Sequence, residues 1–354
     1  MATAAPVYED VLEAPRPAGA WTLAWRRVRR DRLAVASGFA LVLIIFAVFA
    51  GGPILSRIVG HGPNELFPFA VSNLKPVGFW SHVPDVHETG PINGYGEAQV
   101  PKGAGSTLLI FGADSSLGRD LLLRLLYGGR VSLEVALGAT LLALLIGVLL
   151  GGVAAYFGGW VDAIISRFTD LVMAFPLLLL LVLIGSTVTG DKLTRVTLGG
   201  ILNKGVFLLI LLIGAFTWFY PARIVRSQVL ALREREFVEA ARMTGASDFR
   251  ILRRHLVPHV LPSLVAFAMV AVATNILLEA GVTFLGAGVQ LPTASWGSLL
   301  GVTWGTVANP TPYNPETFTI WPTLLPSLMI FLTVLAFNTF GEALRNALDP
   351  QAVA

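Results

Sequence analysis

The chain has 354 residues, 55% hydrophobic and 13% charged, with a mean hydropathy of +0.71 and a net charge of +3. Soluble domains carry about a quarter charged residues, so this composition excludes an ordinary soluble fold and places the chain in a bilayer. The absence of cysteine excludes disulfides, thiolate metal sites and thiol catalysis.

Residues 1–32 form a polar N-terminal segment that ends in Arg26, Arg27, Arg29, Arg30 and Arg32. A basic cluster beside a first span resists translocation, which predicts a cytoplasmic N-terminus. Residues 33–55 are too long an apolar run for a signal-peptide core and read as a retained helix. Residues 56–130 follow as an external loop rich in Pro, Gly and Asn, whose His61, His82 and His87 read as solvated. Within 116–128, Leu121, Leu122, Leu125 and Leu126 recur at helical spacing, with Arg119, Asp120 and Arg124 elsewhere. That pattern suits a helix lying in the interface, the alternative being an outward extension of the next span.

A five-helix core is expected over 131–345, with apolar runs near 131–157, 168–186, 203–220, 260–285 and 320–341. With the first span these make six crossings of about 20 residues each. In the second span Ala143, Gly147, Gly151 and Ala155 recur every fourth residue, a stripe small enough for another backbone to approach closely, and so a packing feature. Glu134 and Glu279 lie within or close to spans. Intramembrane carboxylates are costly and mark functional candidates. Hydration at a membrane end accounts for Glu134, whereas two readings stay open for Glu279: hydration near the external surface, or, on a water-filled path, contact with a cationic cargo or relay of protons. The loop 286–319 lacks Lys and Arg and reads as external, with Ser295, Trp296 and Gly297 at a turn or gate, the alternative for Trp296 being an interfacial aromatic. Residues 346–354 form a cytoplasmic tail.

The segment 221–259 interrupts the apolar pattern with Arg223, Arg226, Arg233, Arg235, Arg242, Arg250, Arg253 and Arg254, which predicts that it faces the cytoplasm. A first short helix over 234–244 places Phe237, Ala240, Ala241 and Thr244 on one narrow strip. Gly245 stands where a left-handed cap residue is needed. Ser247 reads as the N-cap of a second helix, with Asp248 in its first turn. Phe249, Leu252 and Leu256 fall on one side of that helix and the arginines toward the other, and Pro258 is expected to end it. Small Ala240 and Ala241 would admit a partner's surface, with Glu239 available to pair with a basic group. The pattern predicts a docking element of the helix-in-groove kind.

Glu239, Ala240, Ala241, Gly245 and Pro258 reproduce a motif, Glu-Ala-Ala followed by Gly and then Ile-x-Leu-Pro, with His255 and Val257 at its Ile and Leu positions. The segment resembles the cytoplasmic coupling motif of ABC importer permeases. An Arg-His pair before the proline is similar to the dipeptide, oligopeptide and nickel subgroup. Residues 112–120 (GADSSLGRD), 285–297 (LGAGVQLPTASWG) and 335–350 (LAFNTFGEALRNALDP) carry the same resemblance, which covers nearly the whole chain outside about 56–105.

That resemblance implies an all-α permease subunit with six spans in a prokaryotic plasma membrane and both termini cytoplasmic. It implies a second, similar permease and two cytoplasmic ATP-binding subunits that hold ATP and magnesium. An external or periplasmic solute-binding protein would deliver peptides, or nickel or another small solute. Lipid surrounds the chain and no nucleic acid is expected. Glu239, Ala240, Ala241 and Gly245, with Phe237, Ser247 and Asp248, would transmit the ATPase stroke. No catalytic residue, metal site or bound cofactor is expected. None of Lys75, Lys102, Lys192 and Lys204, the only lysines, lies in a Walker loop, so the motor must be on other chains. Pro258 lies between His255 and His259 and argues against a helical zinc pair. An ion-coupled transporter, the rival class, would show paired halves with broken helices, and the docking segment would go unexplained. An intramembrane hydrolase would need a convergent nucleophile and base, which the sequence lacks.

Overall fold

The computed structural model describes residues 20–72, 75–86, 100, 103–114, 117–188, 205–308 and 320–348. His87 lies outside them. Among the described residues the helices are α1 (Ala20–Arg30), α2 (Arg32–Phe46), α3 (Gly52–Val59), α4 (Leu121–Phe157), α5 (Gly159–Met173) and α6 (Leu177–Val188). They continue as α7 (Val206–Thr217), α8 (Phe219–Leu232), α9 (Glu236–Met243), α10 (Asp248–Ile251), α11 (Val257–Phe284), α12 (Trp296–Ala308) and α13 (Trp321–Leu348). A π turn at Ala47–Gly51 joins α2 to α3, and another at Leu252–Leu256 joins α10 to α11. Four runs are long and apolar enough to cross a membrane: Arg32–Val59, Leu121–Phe157, Asp248–Phe284 and Trp321–Leu348. The count reaches six when the bent pairs α5–α6 and α7–α8 each count as one. The chain is an all-α membrane protein.

Both bends differ from the straight spans the sequence suggests. The α5–α6 pair turns by 80°, where Pro176 disfavours a helical conformation at Phe175. The α7–α8 pair turns by 41°; Pro221 lacks an N–H, and its ring crowds the carbonyl of Thr217 four residues earlier.

The segment expected as an interfacial helix is the first turns of α4, which runs unbroken for 37 residues. Asp120 starts it, its carboxylate accepting from the Leu123 N–H at 3.1 Å. Of the leucines that suggested an interfacial helix, Leu121 and Leu125 are buried, Leu125 within the bundle core, and Leu122 and Leu126 are half-buried. The small-residue stripe packs as expected. A Cβ on Gly151 would come within 2.4 Å of the Ala222 carbonyl oxygen, and one on Gly147 within 2.9 Å of the Trp218 oxygen, both where α8 crosses α4.

Beyond α3 the chain folds into a small cap. Strand β3 (Ser81–Pro84) pairs antiparallel with β4 (Ser106–Leu109), beside a short β1 (Val71–Ser72) and β2 (Lys75–Pro76) pair. Phe67, Ala70, Val83, Leu109 and Ala113 form its own apolar core. Buried charge joins cap to bundle. Arg119 Nη2 and Arg124 Nε lie 2.9 and 2.8 Å from the Asp114 carboxylate, and Arg124 also donates to Asn64 Oδ1 at 2.8 Å. His61 is buried rather than solvated, with Nε2 3.0 Å from Asp120 and its ring edge-on to Phe67. Desolvation pulls its imidazolium down, but the Asp120 carboxylate, the Val59 backbone and Glu65 outweigh this and hold its pKa above the ordinary value.

The principal bundle core draws on α2, α4, α11, α12 and α13 around Ile44, Leu133, Ile276, Leu299, Phe337 and Trp296. Trp296 is fully buried and donates from Nε1 to the Leu125 carbonyl at 3.0 Å. It is therefore a core anchor and not an interfacial aromatic, because the 286–295 loop folds back and seats α12 against α4, α11 and α13. The basic α1 lies along the end of α13, where Arg27 donates to the Ala347 carbonyl at 3.3 Å.

Candidate functional site

At the end of α4 away from the cap, α9 and α10 form an elbow. Its first helix closes in a Schellman turn: the Ala246 N–H bonds the Ala241 carbonyl at 3.0 Å and the Gly245 N–H bonds that of Arg242 at 2.9 Å. Gly245 adopts φ +80°, and a Cβ there would meet nothing within 4 Å. The glycine requirement comes from backbone conformation and not from crowding. Ser247 occupies the N-cap position in extended conformation, but its side chain makes no capping bond. The neighbouring Asp248 carboxylate instead accepts from Tyr156 Oη at 2.6 Å.

Tyr156 ties α4 to both elbow helices. Its hydroxyl holds α10 through Asp248, and the Arg242 guanidinium of α9 lies 5.7 Å from its ring centroid. Arg233 adds a bond to the Ala155 carbonyl at 2.8 Å, satisfying one of α4's last free acceptors. Beneath the elbow, Val238, Ile251 and Leu256 are fully buried against Ala155, Val225, Val229 and Val260. This plug fixes which face of the elbow points outward.

The outward face is a shallow groove of ≈ 410 Å³ lined by Phe237, Ala240, Ala241, Thr244, Ala246 and a basic rim of Arg250, Arg254 and His255. The strip read from helical spacing is therefore assembled as expected, and Glu239 is exposed beside it. Phe237 stacks on His259 with ring centroids 5.2 Å apart, and His259 Nδ1 lies 2.6 Å from the His255 carbonyl. Phe249 does not join Leu252 and Leu256 against the core; it is 70% exposed, and Met243 is 83% exposed. The second helix does not stop at Pro258 either. The π turn at Leu252–Leu256 widens the backbone before the proline, so its ring does not meet a carbonyl of normal α pitch, and the helix continues into α11.

Glu279 sits far from the elbow, fully buried in α11, where it accepts from Thr283 Oγ1 at 3.0 Å with the Ser132 and Ser295 side chains beside it. It helps seat the loop that begins α12. Glu134 is not hydrated in isolation but half-buried and paired with Arg130 at 2.8 Å, one helical turn away. No cluster of three His, Cys, Asp or Glu side chains with metal-binding geometry occurs among the described residues.

The profile of the binding-protein-dependent transport system inner membrane components matches residues 143–353, and that of the N-terminal TM domain of oligopeptide transport permease C matches residues 19–76. The chain belongs to this permease family. The permease is 39% identical over 242 residues to a putative peptide permease of Brucella ovis, covering 68% of this chain and 73% of that one. It is 37% identical over 241 residues to the oligopeptide transport system permease protein OppC of Haemophilus influenzae, covering 68% and 70%. The glutathione transport system permease protein GsiD of Pectobacterium atrosepticum is 33% identical over 332 residues, covering 94% and 91%. The permease is thus a multi-pass inner-membrane subunit of an ABC importer, with translocation and not catalysis as its role.

Proposed function

We propose that the permease imports peptides or peptide-like solutes and that its elbow receives the stroke of a separate ATPase. The observation that carries the coupling role is the groove of small side chains, closed by the left-handed turn at Gly245 and braced from behind by Tyr156. It suits a partner helix end or loop that must approach the backbone closely, with the basic rim meeting acidic groups on that partner. Exposed Met243 and Phe249 serve as apolar anchors at its edge. The peptide assignment draws on the names of the relatives.

The arginines of the elbow and of α1 favour a cytoplasmic position for both, with the cap outside. Two ATP-binding subunits carrying ATP and magnesium, a second permease and an external solute-binding protein complete the transporter. In this arrangement Glu239, Ala240, Ala241 and Gly245, with Phe237 and the Asp248–Tyr156 contact, pass on the motion.

Ala241→Glu tests the coupling role. The carboxylate would hold a partner out of the groove, so tripeptide uptake by the assembled transporter is expected to fall at least tenfold while the variant still inserts and folds. Unaltered uptake would count decisively against the coupling role.

A further inference from the structure

One edge of the cap comes down to the membrane boundary. The Phe79 ring lies edge-on to two others, 5.6 Å from Phe111, which packs against the principal core, and 5.3 Å from Trp321. Trp321 opens α13 and heads an exposed apolar stripe that continues through Leu324, Leu328, Phe331 and Leu335. The first charged residue of α13 is Glu342, 21 residues further on, which is about 31 Å of helix. The hydrocarbon layer is about 30 Å thick, so with Glu342 at one boundary Trp321 stands at the other. Phe79, in contact with Trp321, lies at the same depth.

The next residue, Trp80, is the one non-glycine residue with positive φ among the described residues, at +55°. So bulky a side chain seldom occupies that region, because the conformation is strained. Hydrogen bonds hold it there: the Trp80 N–H donates to the Ile110 carbonyl at 3.0 Å, and Ser81 Oγ donates to the Gly78 carbonyl at 2.8 Å. The strain secures no burial within the chain, since Trp80 is 68% exposed. It turns an indole outward beside a ring that marks the edge of a span.

We propose that Phe79 and Trp80 form a foot by which the cap rests in the interfacial layer of the bilayer, its partner being the glycerol and carbonyl groups of phospholipid. An indole suits that layer, because its ring is apolar and its N–H finds acceptors among the lipid carbonyls. The cap is then tied to the membrane surface as well as to α4. This holds whatever the cargo and whatever the elbow contacts.

The chain contains no cysteine, so a single nitroxide can be attached at a chosen position. In the assembled transporter in phospholipid vesicles, a label on Trp80→Cys is read by its collisions with oxygen, which concentrates in lipid, relative to those with water-soluble chromium oxalate. That ratio is expected to be at least about fivefold higher than at Ser106→Cys, an exposed position at the far end of the same hairpin, opposite Pro84. Gly78→Cys leaves the foot intact, since a Cβ there meets nothing within 4 Å. Its ratio should also exceed that at position 106 and should fall to that level when Trp80→Asp is added. A ratio at position 80 no higher than at 106 overturns the proposal. So does scarce collision with both reagents, which would mean that another protein covers the foot. If thermal melts show that the label at 80 unfolds the cap, the Gly78→Cys pair decides: a ratio indifferent to Trp80→Asp overturns the proposal.

Discussion

The cap and the elbow are fastened to opposite ends of one helix by opposite means. At the cap end His61, Asp114, Arg119, Asp120 and Arg124 are all nearly or fully buried. At the elbow end Glu239, Arg250, Arg253 and Arg254 are exposed, and the anchorage is an apolar plug supplemented by Tyr156, through its hydroxyl and ring, and by the Arg233 bond to the Ala155 carbonyl. Buried ions tolerate few geometries, because each charge removed from water needs its partner in place. Apolar plugs accept small shifts, and an exposed charged face is free to meet another protein. The cap is therefore built to keep its shape and the elbow to present a surface.

Breaking the cap is expected to have the largest effect. Arg124→Leu leaves Asp114 without one of its buried cations, at a cost of about 3–5 kcal/mol, and should be read as loss of folded protein in detergent thermal melts. A stability like that of the unaltered chain would mean the network is not a structural clasp. At the elbow, Gly245→Pro cannot adopt the positive φ and should abolish the Schellman turn, stopping uptake while the bundle's melting temperature moves little. Gly245→Ala sharpens the point: with open space at the Cβ, only the left-handed conformation opposes it, so the loss should be near 1–2 kcal/mol locally and uptake only partly reduced.

The smallest effect concerns pH at the cap. The His61 pKa is raised in the folded protein, so its stabilising share is fully present below the unfolded value near 6.5 and is lost as pH rises through the folded pKa. Asp120 and Glu65 are the charged groups acting on it. Melts at rising pH should show cap stability declining from slightly acidic conditions upward, and His61→Gln should flatten that dependence. An unaltered slope in the variant would assign the titration to another group.

The elbow was legible because local rules governed it: Gly245, the small strip and the Arg distribution are set by short-range spacing. What escaped was decided at longer range. Periodicity cannot distinguish leucines buried by lipid from leucines buried by protein, so the start of α4 reads as interfacial. Pro258 ends an α-helix by local rules, yet a π turn upstream absorbs it. His61 gave no sign in a Pro- and Gly-rich stretch that Asp120, 59 residues on, would sit beside it. The folded-back α12 hid because its thirteen residues are too few to span and too weakly patterned to announce a helix.

Helix α4 extends roughly 55 Å at the usual rise per residue, with the clasp of the cap at its first turn and Tyr156 one residue from its end. A strut of that length exceeds the thickness of the hydrocarbon layer, about 30 Å. Under the proposed arrangement a delivery protein outside and a motor inside would grasp the same rod. Whatever free energy one partner contributes by favouring one tilt of that rod, the other must feel with equal magnitude and the same sign, so arrival of loaded cargo and nucleotide binding would be two readings of a single balance.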